Sequence, residues 1–280
     1  YVTAAIASLA ALAMWGWMVR KFPLPGEPKH FPRNLLWLAF ILCLPLEPLS
    51  FVLFRLPLMK LVKDQFPALF PYLALVWAPL TEDTFKMLPL LIPAIRRQLN
   101  SRNWPQLALA IGFGFGLGEA WLVAYFTAQN PKLGGYPFWY YGGYLSERIQ
   151  VCILHAFFTS FALRRWENGF LPGLLLAMLI HLLANSPIVL VRFLPHPELW
   201  LQIYGVLLLL FSALAASHLA NAILGPINLA RLLLGRARCP GCGQVYERSF
   251  LAANLGNKRY ERCPHCKKWH LTGEEDTVKD

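Results

Sequence analysis

The chain has 280 residues, of which 56% are hydrophobic and 15% charged, with a formal net charge of +11 and a mean hydropathy of +0.43. That composition excludes a disordered chain and an ordinary soluble domain and points to a membrane protein. The surplus of Lys and Arg lies in short segments between apolar runs, as the positive-inside rule describes, so no nucleic-acid partner is expected.

In chain order, apolar runs fall at roughly 2–19, 35–54, 69–93, 107–128, 149–163, 170–191 and 199–220, each near the length that about 30 Å of hydrocarbon requires. The expected fold class is an all-α polytopic membrane protein of about seven transmembrane helices, with a small C-terminal zinc-ribbon module. The first run has no basic segment before it and Arg20 and Lys21 directly after it, which reads as an anchor rather than a signal peptide. The segment Leu56–Phe66 mixes apolar and basic residues and suits the interface. Basic residues after runs 1, 3 and 5 (Arg20, Lys21, Lys29, Arg33; Arg96, Arg97, Arg102; Arg164, Arg165) outnumber Lys132 and Arg192 after runs 4 and 6, while the loop after run 2, with Arg55 at the edge of the run and Lys60 and Lys63, is ambiguous. Arg148 stands at the edge of run 5. The bias predicts an N-terminus outside and a C-terminus in the cytoplasm. The stretch Tyr136–Tyr144 then faces outward as an interfacial aromatic belt. Cys43 and Cys152 lie inside apolar runs and read as inert core. Glu47, between Pro45 and Pro48, reads as a local backbone cap, and His218 as interfacial.

Beyond Leu224 the composition changes. The expected domains are a transmembrane unit over 1–225, a basic linker over 226–237, a metal module over 238–271 and a polar, disordered tail over 272–280. The module carries Cys239-Pro-Gly-Cys242 and Cys263-Pro-His-Cys266. Each Cys-x-x-Cys knuckle presents two thiolates at one turn, and two knuckles close a tetrahedron around zinc. So short a module has little core, so metal supplies much of its folding energy. A cytoplasmic location argues against disulfides. Zinc ribbons of this kind commonly dock a protein partner.

Four successive apolar runs carry ionisable residues near their middles: Glu82 with Asp83, Glu119, His155, and His181 with Asn185. Such a residue at mid-bilayer depth costs about 3 kcal/mol even on lenient scales, so four of them imply one shared polar site. Glu82 and Lys86 are four apart and share a helix face, and Lys86 neutralises one of the two acids. In Gly112-Phe113-Gly114-Phe115-Gly116-Leu117-Gly118-Glu119 the glycines pair at small-xxx-small spacing, which brings helices close and Glu119 against a neighbour. A carboxylate takes a proton from water, and His or Asn donates to an oxyanion.

The ordered set Glu82-Asp83-x-x-Lys86, Phe115-x-x-x-Glu119, His155-x-x-x-Thr159 and His181-x-x-x-Asn185 resembles the PrsW family of intramembrane proteases, related to the CPBP/Abi group. The resemblance covers 69–191 and departs at Asp83, where the family has a second glutamate. It implies Glu82 as general base on water, aided by Glu119 and His155, with His181 and Asn185 near the oxyanion. It leaves a metal-free glutamate mechanism and a metalloprotease both open. It implies a membrane-protein substrate such as an anti-sigma factor, or a lipidated peptide, in a prokaryotic cytoplasmic membrane. The residues alone leave two other classes open: a proton-coupled transporter using the mid-membrane Glu and His residues, and a non-catalytic scaffold that recruits partners through the zinc ribbon.

Overall fold

The computed structural model describes residues 1–22, 30–191, 194–224, 236–248, 252–256, 258–273 and 277–278. Lys29, Arg192, the linker up to residue 235 and most of the C-terminal tail lie outside the described residues. The apolar runs fold as helices: α1 (Val2–Lys21), α2 (Arg33–Ser50), α3 (Leu56–Gln65), α4 (Phe70–Phe85), α5 (Pro93–Gln98), α6 (Trp104–Gln129), α7 (Gly142–Arg164), α8 (Phe170–Leu190) and α9 (Pro197–Leu224). Contacts divide the chain into a unit over Tyr1–Leu219 and a second over Ala220–Asp280.

Glycine decides which helix is central. Every residue of α6 from Trp104 to Gly118 is buried. A Cβ at Gly112 would overlap the backbone of Ala156, and one at Gly116 would meet Cys152, so this pair seats α7. A Cβ at Gly114 or Gly118 would overlap the carbonyl of Phe40 or Leu44, so the other pair seats α2. The expected small-xxx-small spacing therefore serves two neighbours, one on each side of α6. Trp15 of α1 is fully buried and stacks on Phe40 of α2 at 5.6 Å between ring centroids.

Seven spans are not established. Among the described residues, five segments are long and apolar enough to cross a membrane: Val2–Arg20, Arg33–Gln65, Trp104–Gln129, Phe170–Leu190 and Pro197–Ile223. The run at 69–93 breaks instead. Helix α4 ends at Phe85 after 16 residues, and a 3₁₀ turn, Leu88–Leu91, with Pro89 inside it, leads to α5. Proline cannot donate to the helical ladder, so Pro89 and Pro93 stop the helix here. Helix α7 is long, but Glu147, Arg148, Gln150 and His155 lower its hydropathy. The segment Leu56–Phe66 is not separate from run 2. Helix α2 passes through a π-helical turn, Phe51–Arg55, directly into α3. The turn follows Pro45 and Pro48, which remove two donors from the ladder. The Glu47 carbonyl accepts Ser50 Oγ at 2.9 Å, while its buried carboxyl atom Oε2 has no partner.

The second unit carries two antiparallel three-stranded sheets: β1 (Arg236–Arg238) between β2 (Val245–Glu247) and β6 (Thr277–Val278), and β3 (Ala253–Leu255), β4 (Lys258–Arg262), β5 (Trp269–Thr272) in that order. The disordered tail expected from 272 is corrected in part. Thr272 closes β5, and Val278 and Thr277 pair with Arg236 and Ala237. Strand β1 has two edges, and its second row of backbone groups takes the partner that the tail supplies. The same pairing draws Arg236 and Ala237 out of the expected linker and into the sheet.

Candidate functional site

Successive helical residues point about 100° apart, so Glu82 and Asp83 in the last turn of α4 serve different neighbours. Asp83 Oδ1 accepts from Lys86 Nζ at 2.7 Å, and Asp83 Oδ2 lies 3.1 Å from Nδ1 of His181 on α8. Glu82 Oε1 instead accepts from Arg55 Nη1 at 2.6 Å, and its Oε2 lies 3.7 Å from His181 Nε2. The Glu82–Lys86 spacing therefore does not yield an ion pair, because the helix ends at Phe85 and Lys86 turns to Asp83. Lys86 is fully buried over the rings of Phe115 and Phe158, at 5.0 and 5.9 Å.

A second set mirrors the first. Gly116 brings α6 against α7, and one turn later Glu119 meets His155, with Oε2 2.7 Å from Nε2. Arg148 lies two helical turns before His155 on the same face of α7 and donates to Glu119 Oε1 at 3.1 Å. The described residues thus include the cation–carboxylate–imidazole groups Lys86–Asp83–His181 and Arg148–Glu119–His155. Their imidazole rings meet edge to face at 5.9 Å between centroids. Phe158 stacks on His181 at 4.5 Å and Phe115 abuts His155 at 5.3 Å, so aromatic walls lock both rings. Thr159, one turn after His155, is buried with its hydroxyl unpartnered, as is Nδ1 of His155.

Glu82, Glu119, His155, His181 and Asn185 all line one cavity of about 570 Å³. Its remaining wall is largely apolar, including Leu75 and Ala78 of α4, Ile188 and Val189 of α8 and Leu208 of α9. Asp83 and Lys86 do not line it and act behind His181. Glu82, Glu119 and His155 hold possible ligand atoms within 4.8 Å of one another, a donor set able to take a metal ion. Of the residues the cavity brings together, Arg55 and Arg148 are those that sequence reasoning missed as partners. Both read in the sequence as basic residues at span edges. The signal that could have found them is the number of buried acids, which exceeds the one cation, Lys86, inside the runs.

In the second unit, Cys239 and Cys266 approach to 3.8 Å between sulfurs, as do Cys242 and Cys263, and all four sulfurs lie within 4.8 Å. The two knuckles have the same construction. Cys239 N–H donates to the Gln244 carbonyl and Cys263 N–H to that of Lys268, while Gly243 and Lys267 donate back. Both turns need a left-handed residue at the same place, and they use Gly243 (φ 72°) and Lys267 (φ 63°). Burial raises the Cys263 thiol, but the backbone N–H groups of Cys266 and His265 outweigh it and bring the thiol down to about 6. The cluster is compatible with a zinc site. His270 Nε2 sits 3.5 Å from Cys266 Sγ. Its ring occupies the space that a Cβ at Gly241 would need, so it lies across the other knuckle.

Comparison with protein-family models, with curated proteins and with solved structures finds no match.

Proposed function

We propose that the helical unit is an intramembrane endopeptidase that hydrolyses a peptide bond of a membrane-associated protein by glutamate and histidine activation of water. The observation that carries this reading is the cavity among apolar helices that Glu82, the Glu119–His155 pair and Asn185 share. It is roomy enough for an extended peptide segment, and the resemblance of its residues to PrsW-type motifs points the same way. On this reading, water enters between Glu82 and the Glu119–His155 pair. Glu82 Oε2 lies 3.7 Å from His181 Nε2, too long for a direct hydrogen bond, which leaves that carboxylate oxygen open to water from the cavity.

In the proposed step, Glu82 takes a proton from that water as its oxygen bonds to the scissile carbonyl carbon. The carbonyl oxygen becomes an oxyanion, which accepts from the Asn185 amide. Collapse of the intermediate breaks the C–N bond, and the departing amine takes the proton back, with His155 in reach to relay it. Asp83 holds Nδ1–H of His181, so His181 donates to the oxyanion only when its second nitrogen is also protonated. Lys86 and Arg148 hold the carboxylates against the imidazoles, and Arg55 orients Glu82.

The 4.8 Å donor set supports a second reading, in which Glu82, Glu119 and His155 bind a divalent metal. In the second unit we infer a structural zinc. A tetrahedron with zinc–sulfur bonds of about 2.3 Å has sulfur–sulfur edges of about 3.8 Å, which is the observed spacing. We assign that unit to the cytoplasmic side from the distribution of Lys and Arg between the runs, as a dock for a cytoplasmic protein.

The test uses the full chain in lipid nanodiscs with a fluorescently tagged single-span polypeptide. Glu82→Gln should lower cleavage by roughly two to four orders of magnitude at unchanged helical content, the usual worth of positioned acid–base catalysis. Full activity in Glu82→Gln and in Glu119→Gln would refute the mechanism. Proton flux in vesicles without cleavage would favour the transporter, and neither activity the scaffold. One zinc per chain fits the metal-free centre, and two the metal-bound one.

A further inference from the structure

We propose that the outer face of the β3–β4–β5 sheet binds anionic lipid headgroups at the membrane surface. The proposal rests on the chain being membrane-anchored and not on its being a protease.

The strand register defines the face. Tyr260 pairs with Leu271, Arg262 with Trp269, and Lys258 with Leu255, so these six side chains project to one side of the sheet. The alternate residues turn the other way, and Glu261 and Thr272 among them are fully buried. The outer side is open: Leu255 is 57% exposed, Tyr260 41%, Trp269 49% and Leu271 49%. Tyr260 and Trp269 stack at 5.2 Å, which makes one rigid aromatic plate rather than two mobile rings. Lys258 and Arg262 flank the plate, and Lys267 and Lys268 follow in the knuckle turn next to it. Among the described residues no carboxylate belongs to the face, because the one acid of β4, Glu261, points inward to Thr272 and Arg248.

Three properties select the occupant. Tyr and Trp beside Lys and Arg match the headgroup layer, where amphipathic rings and cationic chains both find their preferred surroundings. The charge is complementary to an anionic leaflet. Leu255 and Leu271 offer apolar surface with no use against a phosphodiester backbone but a favourable place among acyl chains. Reach is ensured by the covalent chain: 11 residues, 225–235, separate the last described residue of α9 from β1. At about 3.6 Å per residue they extend to about 40 Å at most. Tethering at that range makes a weak surface interaction intramolecular and so raises its occupancy.

The experiment is hydroxyl-radical footprinting of the full, zinc-containing chain in nanodiscs, read at Tyr260 and Trp269 by mass spectrometry. In discs with roughly one third phosphatidylglycerol, oxidation of Trp269 should fall on the order of threefold relative to pure phosphatidylcholine. High salt should restore it, because exposed charges lose their attraction within a shortened Debye length. The double substitution Lys258→Gln with Arg262→Gln should abolish the protection without changing zinc content. Equal oxidation in the two lipids, on the unaltered chain, would overturn the proposal. So would protection by a single-stranded oligonucleotide or an acidic peptide in phosphatidylcholine discs that anionic lipid does not produce, since the face would then serve that partner.

Discussion

The helical unit and the cysteine unit both gather ionisable side chains at one point, by opposite means. In the helical unit, packing makes the site. Four glycines of α6 let α2 and α7 close in, which brings Glu119 to His155, while the packing of α4 on α8 brings Asp83 to His181. In the cysteine unit, little is packed. Its buried cluster comprises Ala237, Tyr246 and two of the cysteines themselves, Cys239 and Cys263. There the proposed metal is the core. The contrast teaches where each unit is vulnerable: the first to changes in helix contact far from the chemistry, the second to loss of its ligands.

The largest effect should come from metal. Stripping zinc with a strong chelator should unfold residues 236–273 and leave the helical unit intact, because a structural zinc is worth about 10–16 kcal/mol to such a module. Hydrogen exchange resolved by peptide is the measurement. Retained protection in β4 and β5 after zinc is gone would erase the contrast between the units.

Next comes the buried charge on α7. Arg148→Met leaves the part-buried Glu119 carboxylate with one partner fewer, and breaking a fully buried pair costs about 3–5 kcal/mol, which sets the upper bound here. Thermal unfolding in detergent should register that loss. A stability equal to the unaltered chain would mean that the Glu119–His155 contact holds the site without Arg148.

Helix contact can be tested at a distance from any acid. Gly112→Leu forces a side chain into the backbone of Ala156 and should cost roughly 3 kcal/mol or more, with cleavage lost as α7 is displaced. Gly16→Ala in α1 meets nothing within 4 Å and should be neutral or stabilising by up to about 1 kcal/mol. If both substitutions behave alike, close packing at α6 is not what builds the site.

The smallest effect belongs to the knuckles. Gly243→Ala introduces a Cβ at φ 72° and should weaken zinc by about 1 kcal/mol, roughly fivefold in a competition titration. Its counterpart Lys267→Gly relieves the same conformation and should leave affinity equal or tighter.

The contrast also marks how much was legible in the residues. The sequence by itself determined the cysteine cluster almost completely, because all four sulfurs come from two local turns whose spacing dictates their geometry. It also determined that the mid-run acids and histidines belong together, since each alone is too costly in a membrane to be incidental. The membrane-like composition and the glycine spacing were readable for the same reason: both are properties of a few consecutive residues.

Only the tertiary structure decided how the charges divide. Glu82 and Asp83 are neighbours in the chain, yet one answers to Arg55, 27 residues away, and the other to His181, 98 residues away. Local spacing left Lys86 within reach of either Glu82 or Asp83, and the end of α4 gave it to Asp83. Arg148 read as a loop-edge charge until α7 proved to begin at Gly142 and carried it inside. The tail at 277–278 read as disordered until β1 offered it an edge. In each case the deciding partner lies far off in the chain. No periodicity or local spacing records it, because the energy that selects it exists only once the helices and strands are packed.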